Sequence, residues 1–329
     1  MGRKFLEAIK IYLKNSCPVL FLAPAIAFFL FLPCSFSSEF LNEEPVKDKE
    51  SAWMPYSAGP ITTWTAPLCG RARFVVQPFF FYNRARGLFN SEGSYKSFQN
   101  GDRKYEYQQQ LFFQYGVTEK FEIDAQALYQ EHFIKQSGQK VSSSGLGDSF
   151  LFLRYCPIEE NGFLPTINGL MQIKFPTGKF QNLNPDKLGA DLMGAATGAG
   201  SFDHGYGVIF TKKLKPFILH SDFIYTFPIE RKINSVKTRY ARYLNCDFAL
   251  EYFFTGNINL IFEVNNILQG DRKENGDFVP NSNRNQTMIS PGIGWSSSKI
   301  QTLLAYQRVL TGENADANDS VVFTFVYAF

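Results

Sequence analysis

The side chains of this chain that could do chemistry are few: three histidines, five cysteines and a scatter of carboxylates among 329 residues. His220 stands two positions from Asp222. In a strand those positions share a face, so the pair could act as a general base with an orienting carboxylate. A hydrolytic site of that kind also needs a nucleophile, and no Asn-His-x-Ser-Asn-Gly-like signature surrounds His132, His204 or His220. A solvated pair is the plainer reading, with His132 and His204 expected in loops. Gly178-Lys179 follows Pro176-Thr177 but lacks the first glycine and the Ser/Thr of a phosphate loop. Cys17, Cys34, Cys69, Cys156 and Cys246 are dispersed, with no CxxC spacing for a metal. No catalytic residue, cofactor or metal site is therefore assigned, and a hydrolase ranks third, behind the two functions reached below.

The elements that must position these residues follow from composition. The chain is 45% hydrophobic and 16% aromatic, with 35 Phe and 16 Tyr, yet only 19% charged. Its mean hydropathy is −0.17. A disordered chain carries few aromatics, and a helical transporter needs repeated apolar runs of about 20 residues. One run comes close, Pro18 to Pro33, after Arg3, Lys4, Lys10 and Lys14 and before Ser35 and Ser37. That order describes a secretory signal peptide over residues 1–37. Those four bases against Glu7 carry the whole net charge of +3, leaving 29 basic and 29 acidic residues beyond them. A nucleic-acid partner is not supported. Residues 38–70 read as an extended periplasmic lead-in.

From residue 71 the pattern changes to period two. Over 105–115 one face carries Tyr105, Tyr107, Leu111, Phe113 and Tyr115, the other Glu106, Gln108, Gln110 and Gln114. Over 121–130, Phe121, Ile123, Ala125, Ala127 and Tyr129 oppose Glu122, Asp124, Gln126 and Gln130. The same alternation recurs at 148–155, 166–175, 217–227, 244–252, 258–265 and 320–329, and less cleanly at 72–83, 205–211, 287–295 and 300–308. Short turns alternate with longer polar loops, the latter expected near 87–104, 131–147, 176–204, 228–240, 266–285 and 310–319. An all-β, antiparallel transmembrane β-barrel of about 12 strands over 71–329 accounts for this, its apolar face toward lipid and its polar face toward the lumen. A soluble sandwich also alternates, but tyrosines at strand ends suit the interfacial girdles of a membrane barrel. Pro78 and Pro291 fit poorly, since each removes a ladder donor.

Several motifs carry a resemblance. Phe325, Tyr327 and Phe329 resemble the C-terminal signal by which bacterial outer-membrane barrels are recognised by the assembly machinery. Tyr115 to Ile123, Gly145 to Ser149, Phe175 to Lys179, Gly200 to Asp203 and Ser290 to Gly294 are similar, in order and spacing, to the outer-membrane family named after the meta-pathway of phenol degradation. The resemblance implies a bacterial outer-membrane location, the lipid bilayer as partner, and passive transport of small, including aromatic or hydrophobic, solutes. A structural or surface-binding barrel is the alternative.

Parity places Glu106, Glu122, Asp124, Asp148, Asp222, Asp247, Glu251 and Glu263 on the lumen face, with Arg154, Lys174 and His220. An excess of one sign biases permeation, so a weak cation preference is expected; equally, these acids could pair with basic residues and merely hydrate the interior. Sequence leaves open whether the lumen is clear or closed by residues 38–70 or a long loop.

Overall fold

A computed structural model describes Trp53, Pro55, residues 57–99, 101–180, 196–233 and 236–329. The expected signal peptide and residues 38–52 of the expected lead-in lie outside the described residues.

Among the described residues twelve long antiparallel strands close into a barrel. They are β1 Phe74–Phe89, β2 Arg103–Gly116, β3 Phe121–Gln136, β4 Ser149–Ile158, β5 Thr166–Phe175 and β6 Asp203–Leu214. The second half comprises β7 Phe217–Pro228, β8 Tyr243–Phe253, β9 Ile258–Gln269, β10 Arg284–Ser296, β11 Ile300–Glu313 and β12 Ala315–Ala328. Each pairs with its neighbour in sequence, and β1 pairs with β12 through registers such as Phe80↔Phe323. Closure leaves none of the twelve as an edge strand, as a hydrocarbon surround requires.

The exposure pattern inverts that of a soluble protein. Phe80, Tyr107, Phe262, Leu304 and Phe323 lie 43–50% exposed, while Glu122, Glu251, Glu263 and Asn259 are 0% exposed. Side chains alternate across each strand, so the wall is apolar outside and polar within. That inversion separates a membrane barrel from a sandwich.

Both prolines that fitted poorly sit where the ladder is interrupted on one side. Pro78 keeps its register with Leu111 of β2 but drops out of the pairing with β12, where its carbonyl instead accepts the Thr324 hydroxyl at 2.8 Å. Pro291 stays opposite Phe262 of β9 and drops out of the pairing with β11. A missing donor is tolerated where its neighbour does not ask for it.

Short connections at 117–120, 159–165, 215–216, 254–257 and 297–299 gather at one end with the start of β1. Longer ones lie at the other. The loops expected at 131–147 and 310–319 are largely strand instead. β3 runs to Gln136 and pairs on with a hairpin strand Gln139–Leu146, while β11 and β12 are separated by Asn314 alone. Strands of 14–16 residues outrun the 9–11 that span a bilayer. Their outer ends run past the hydrocarbon, where polar residues are at home in a ladder. Two outer loops add a small second sheet, from Arg231–Ile233, Val236–Arg239, Lys273–Glu274 and Asp277–Phe278.

Candidate functional site in the barrel lumen

Residues 57–69, with the sequence Ser-Ala-Gly-Pro-Ile-Thr-Thr-Trp-Thr-Ala-Pro-Leu-Cys, run through the interior as an irregular strap before β1 begins. An irregular backbone has no ladder, so each buried N–H must find another acceptor. The wall supplies them. The N–H groups of Ile61 and Thr62 donate to Glu263, which also accepts the Thr62 hydroxyl at 2.7 Å. The Trp64 N–H donates to Asp222 at 2.9 Å and the Cys69 N–H to Glu122 at 2.6 Å. The Ala58 N–H reaches the Gln301 side-chain oxygen at 2.7 Å. Carboxylates accept only, with room for two or more donors each, and this is the chemistry the strap needs.

Strap carbonyls are met by donors. Arg154 donates to the Thr65 carbonyl, and the Asn168 amide donates to that of Ala66 at 3.1 Å. Arg154 is itself fixed by Glu122 at 2.7 Å and Asp124 at 3.6 Å, with its guanidinium 5.3 Å from the Trp64 ring centre.

A hydrogen-bonded relay links two points of the strap through the wall. The Ala66 N–H donates to Thr211 Oγ1 at 2.8 Å, Thr211 Oγ1 lies 3.1 Å from His220 Nδ1, and His220 Nε2 lies 2.8 Å from Glu251. Glu251 then accepts the Ser57 hydroxyl at 2.9 Å and the Asn259 amide. The order hydroxyl, imidazole, carboxylate looks like a hydrolytic triad. The Thr211 oxygen is already engaged by the strap and the residue is 2% exposed, so the arrangement holds the segment.

Apolar contacts complete the seating. Trp64 meets Phe112 and Phe152 edge-on, at 5.5 and 4.9 Å between ring centres, and packs with Ala66 on Leu170, Ile209 and Ile224. Ile61 packs on Ile261, Leu303, Ala305 and Val322. Inward aromatic and aliphatic residues on a mostly polar face are thus the sockets of Trp64 and Ile61.

The expected lumen residues fall into two groups. Glu122, Arg154, Asp222, His220, Glu251 and Glu263 hold the strap, directly or through the relay, and Asp124 pairs with Arg154. Glu106, Asp148 and Lys174 lie toward the outer mouth. Glu106 accepts from Asn83 at 3.0 Å and pairs with His132 at 3.2 Å; Lys174 bridges Asp203 at 2.5 Å and Asp148 at 3.5 Å, and Asp148 accepts the Gly178 and Ala199 N–H groups. Asp247 stands in register with Asp222 and accepts the Asn266 N–H. His132 and His204, expected in loops, are on strands: His132 points inward on β3, and His204 on β6 stacks on Phe227 at 5.3 Å. Thr211, Asn168 and Gln301 join the site unannounced by charge. Strand parity was the one signal that could have found them.

Cys69 marks where the strap leaves the wall, and Cys69, Cys156 and Cys246 are free thiols. Burial first, and then the Glu122 carboxylate beside it, pushes the Cys69 thiol up to about 12. A raised value keeps the unreactive neutral thiol far above neutral pH. Iodoacetamide labelling of Cys69 at pH 8, followed by peptide mass spectrometry, is expected to run at least about a hundredfold slower in the folded protein than in denaturant. Equal rates would contradict the seating.

A closed antiparallel barrel, apolar outside and lined within by polar side chains, defines a β-barrel of the outer-membrane type. The family described as the MetA-pathway of phenol degradation matches residues 119–325, more than half of the chain, and the chain belongs to that family. A solved outer membrane channel from Pseudomonas putida F1 superposes with a TM-score of 0.66 at 14% identity, covering 83% of this chain and 100% of that one. The NanC porin, at 9% identity and TM-score 0.44, covers 77% of this chain and 98% of its own. The β domain of the Bordetella autotransporter BrkA gives 7%, 0.47, 79% and 100% for the same measures. No curated protein sequence gives a significant match.

Proposed function

We propose that this protein is an outer-membrane conduit for passive movement of small organic solutes, aromatic and hydrophobic ones included, and that residues 57–69 hold the conduit shut in the state described. The observation that carries this reading is the strap itself. A purely structural barrel is filled by its own wall side chains, as small eight-stranded barrels are. Here the wider interior is filled by a segment outside the ladder, attached through side-chain hydrogen bonds and two apolar sockets. Such a stopper can leave without breaking a strand pairing. The similar barrel from Pseudomonas putida is described as a channel, which supports the same reading. Assembly through recognition of Phe325, Tyr327 and Phe329, and export by residues 1–37, belong to this proposal.

The buried acids of the interior outnumber Arg154 and Lys174 by eight to two among the described residues. With the strap released, the inner face carries unmatched negative charge, and passage is expected to favour cations. The test is reconstitution of the full chain in planar bilayers under a potassium chloride gradient, alongside swelling of liposomes in small aromatic solutes. Openings whose reversal potential is shifted toward cation selectivity, together with solute-driven swelling, are expected. Anion-selective openings would refute the charge argument, and silence in both assays would favour the structural or surface-binding barrel.

A further inference from the structure

The outward face at the loop end of β1 to β3 carries a charge arrangement that solute passage does not use. Register places Arg103 of β2 directly opposite Lys135 of β3, and Lys135 directly opposite Lys140 of the hairpin strand. Arg84 of β1 stands on the same face, one strand over, opposite Tyr105. Arg84, Arg103 and Lys140 are exposed and Lys135 is half-exposed. Among the described residues none of the four has a carboxylate within ion-pairing distance; Asp319, the acid opposite Arg84, is bound by Arg86 at 3.0 Å and faces Arg308 at 3.7 Å. Like charges directly opposite in a ladder oppose folding. Three in a row on adjacent strands call for an anion from outside the chain.

Below this row lies an aromatic shelf. Tyr82 sits 5.1 Å from Tyr107 and 6.4 Å from Tyr105 between ring centres, with Phe133 beside them in register with Tyr105. Tyrosines on a lipid-facing wall mark the headgroup level, so the basic row stands among the headgroups of the surrounding leaflet. It does so at the long-loop end, the outer one in barrels of this kind. On the far side of the barrel at that end Phe175, Phe202 and Tyr206 are exposed, and Arg242 lies 5.1 Å from the Phe227 ring centre.

We infer that Arg84, Arg103, Lys135 and Lys140 form a docking site for a phosphorylated lipid headgroup of the outer leaflet. Phosphate oxygens accept the charge-assisted bonds that Arg and Lys offer, and a headgroup with two phosphates can neutralise the row while its acyl chains lie along the aromatic shelf. The inference rests on the outer-membrane placement proposed above and is independent of whether solutes pass.

The probe is bis-phosphorylated lipid A, added to the detergent-solubilised full chain and read by native mass spectrometry. Dephosphorylated lipid A and phosphatidylglycerol serve as comparisons. A one-to-one adduct with the bis-phosphorylated lipid is expected, at least about tenfold tighter than with either comparison and weakened by salt. Replacing Arg103, Lys135 and Lys140 by Gln is expected to abolish that preference while heat-modifiable gel mobility reports an intact barrel. Should the triple variant fail to assemble, Lys140→Gln alone, at the exposed hairpin, is expected to weaken the adduct about threefold. Equal binding of dephosphorylated lipid A or phosphatidylglycerol to the wild-type chain, or unchanged lipid A binding in a folded variant, would overturn the inference. A failed bilayer assay with lipid A adducts intact would count against the conduit and leave this site standing.

Discussion

Deleting residues 53–69, with Gly70 onward intact, is expected to raise single-channel conductance at least about tenfold, because twelve strands enclose more space than their own side chains fill. The barrel itself should persist. Its closure runs through β1 and β12, from Val75↔Ala328 to Phe89↔Ala315, and no strap residue takes part in it. The carboxylates of Glu122, Asp222 and Glu263 would exchange strap N–H donors for water, which solvates them well once the lumen is open. Unchanged conductance from a variant that retains heat-modifiable mobility would mean that something other than the strap closes the passage.

The second large effect is on stability. Arg154→Met is expected to cost about 3–5 kcal/mol, because it leaves Glu122 and Asp124 buried without their shared cation. Both acids are 0% exposed, as is Arg154, so water cannot replace the lost partner cheaply. The strap loses the donor to its Thr65 carbonyl at the same time, and the Trp64 ring loses the guanidinium over its face. Denaturant midpoints in detergent micelles would measure the change. The double variant Arg154→Met with Glu122→Gln should recover part of it, since a neutral amide tolerates burial better than an unpaired carboxylate. A change below about 1 kcal/mol, typical of surface pairs, would show that water reaches this cluster.

Much of the barrel was legible because each membrane-crossing strand separates two solvents. Tyr105, Tyr107, Leu111 and Tyr115 against Glu106, Gln108 and Gln114 could satisfy lipid on one side and a polar interior on the other in no other regular structure. Legibility faded where the strands leave the bilayer. At His132 to Gln136 buried Ile134 is followed by half-exposed Lys135, and at Asn314 to Asp319 buried Ala315 and Ala317 alternate with polar neighbours, so the apolar-out, polar-in order fails and a strand reads as a loop. Closure of the lumen by residues 38–70 was one of the alternatives left open, but the seating of the strap was not readable. Residues 57–69 have no period, and their partners lie between 53 and 243 positions away in sequence, from Cys69 with Glu122 to Ala58 with Gln301.

The charges of the interior were readable as inward-facing, while their employment was not. Parity alone gives a lumen-facing acid the same look whether it borders a stream of ions or accepts a buried N–H. The distinction lies in a segment that supplies the N–H groups. Glu263, Asp222 and Glu122 are best understood as acceptors for Ile61, Thr62, Trp64 and Cys69, and as a charged lining only once those donors withdraw.

The most direct test of that account is a cross-link across the lumen. Thr65 Oγ1 and Thr211 Oγ1 lie 3.5 Å apart, so Thr65→Cys with Thr211→Cys, in a chain whose native cysteines are replaced by Ser, places two thiols within disulfide reach. This pair is expected to oxidise to completion in the assembled barrel, with neither thiol labelled by a membrane-impermeant maleimide beforehand. Failure to cross-link, with Thr65→Cys freely labelled in the folded protein, would place the strap outside the lumen and contradict that account.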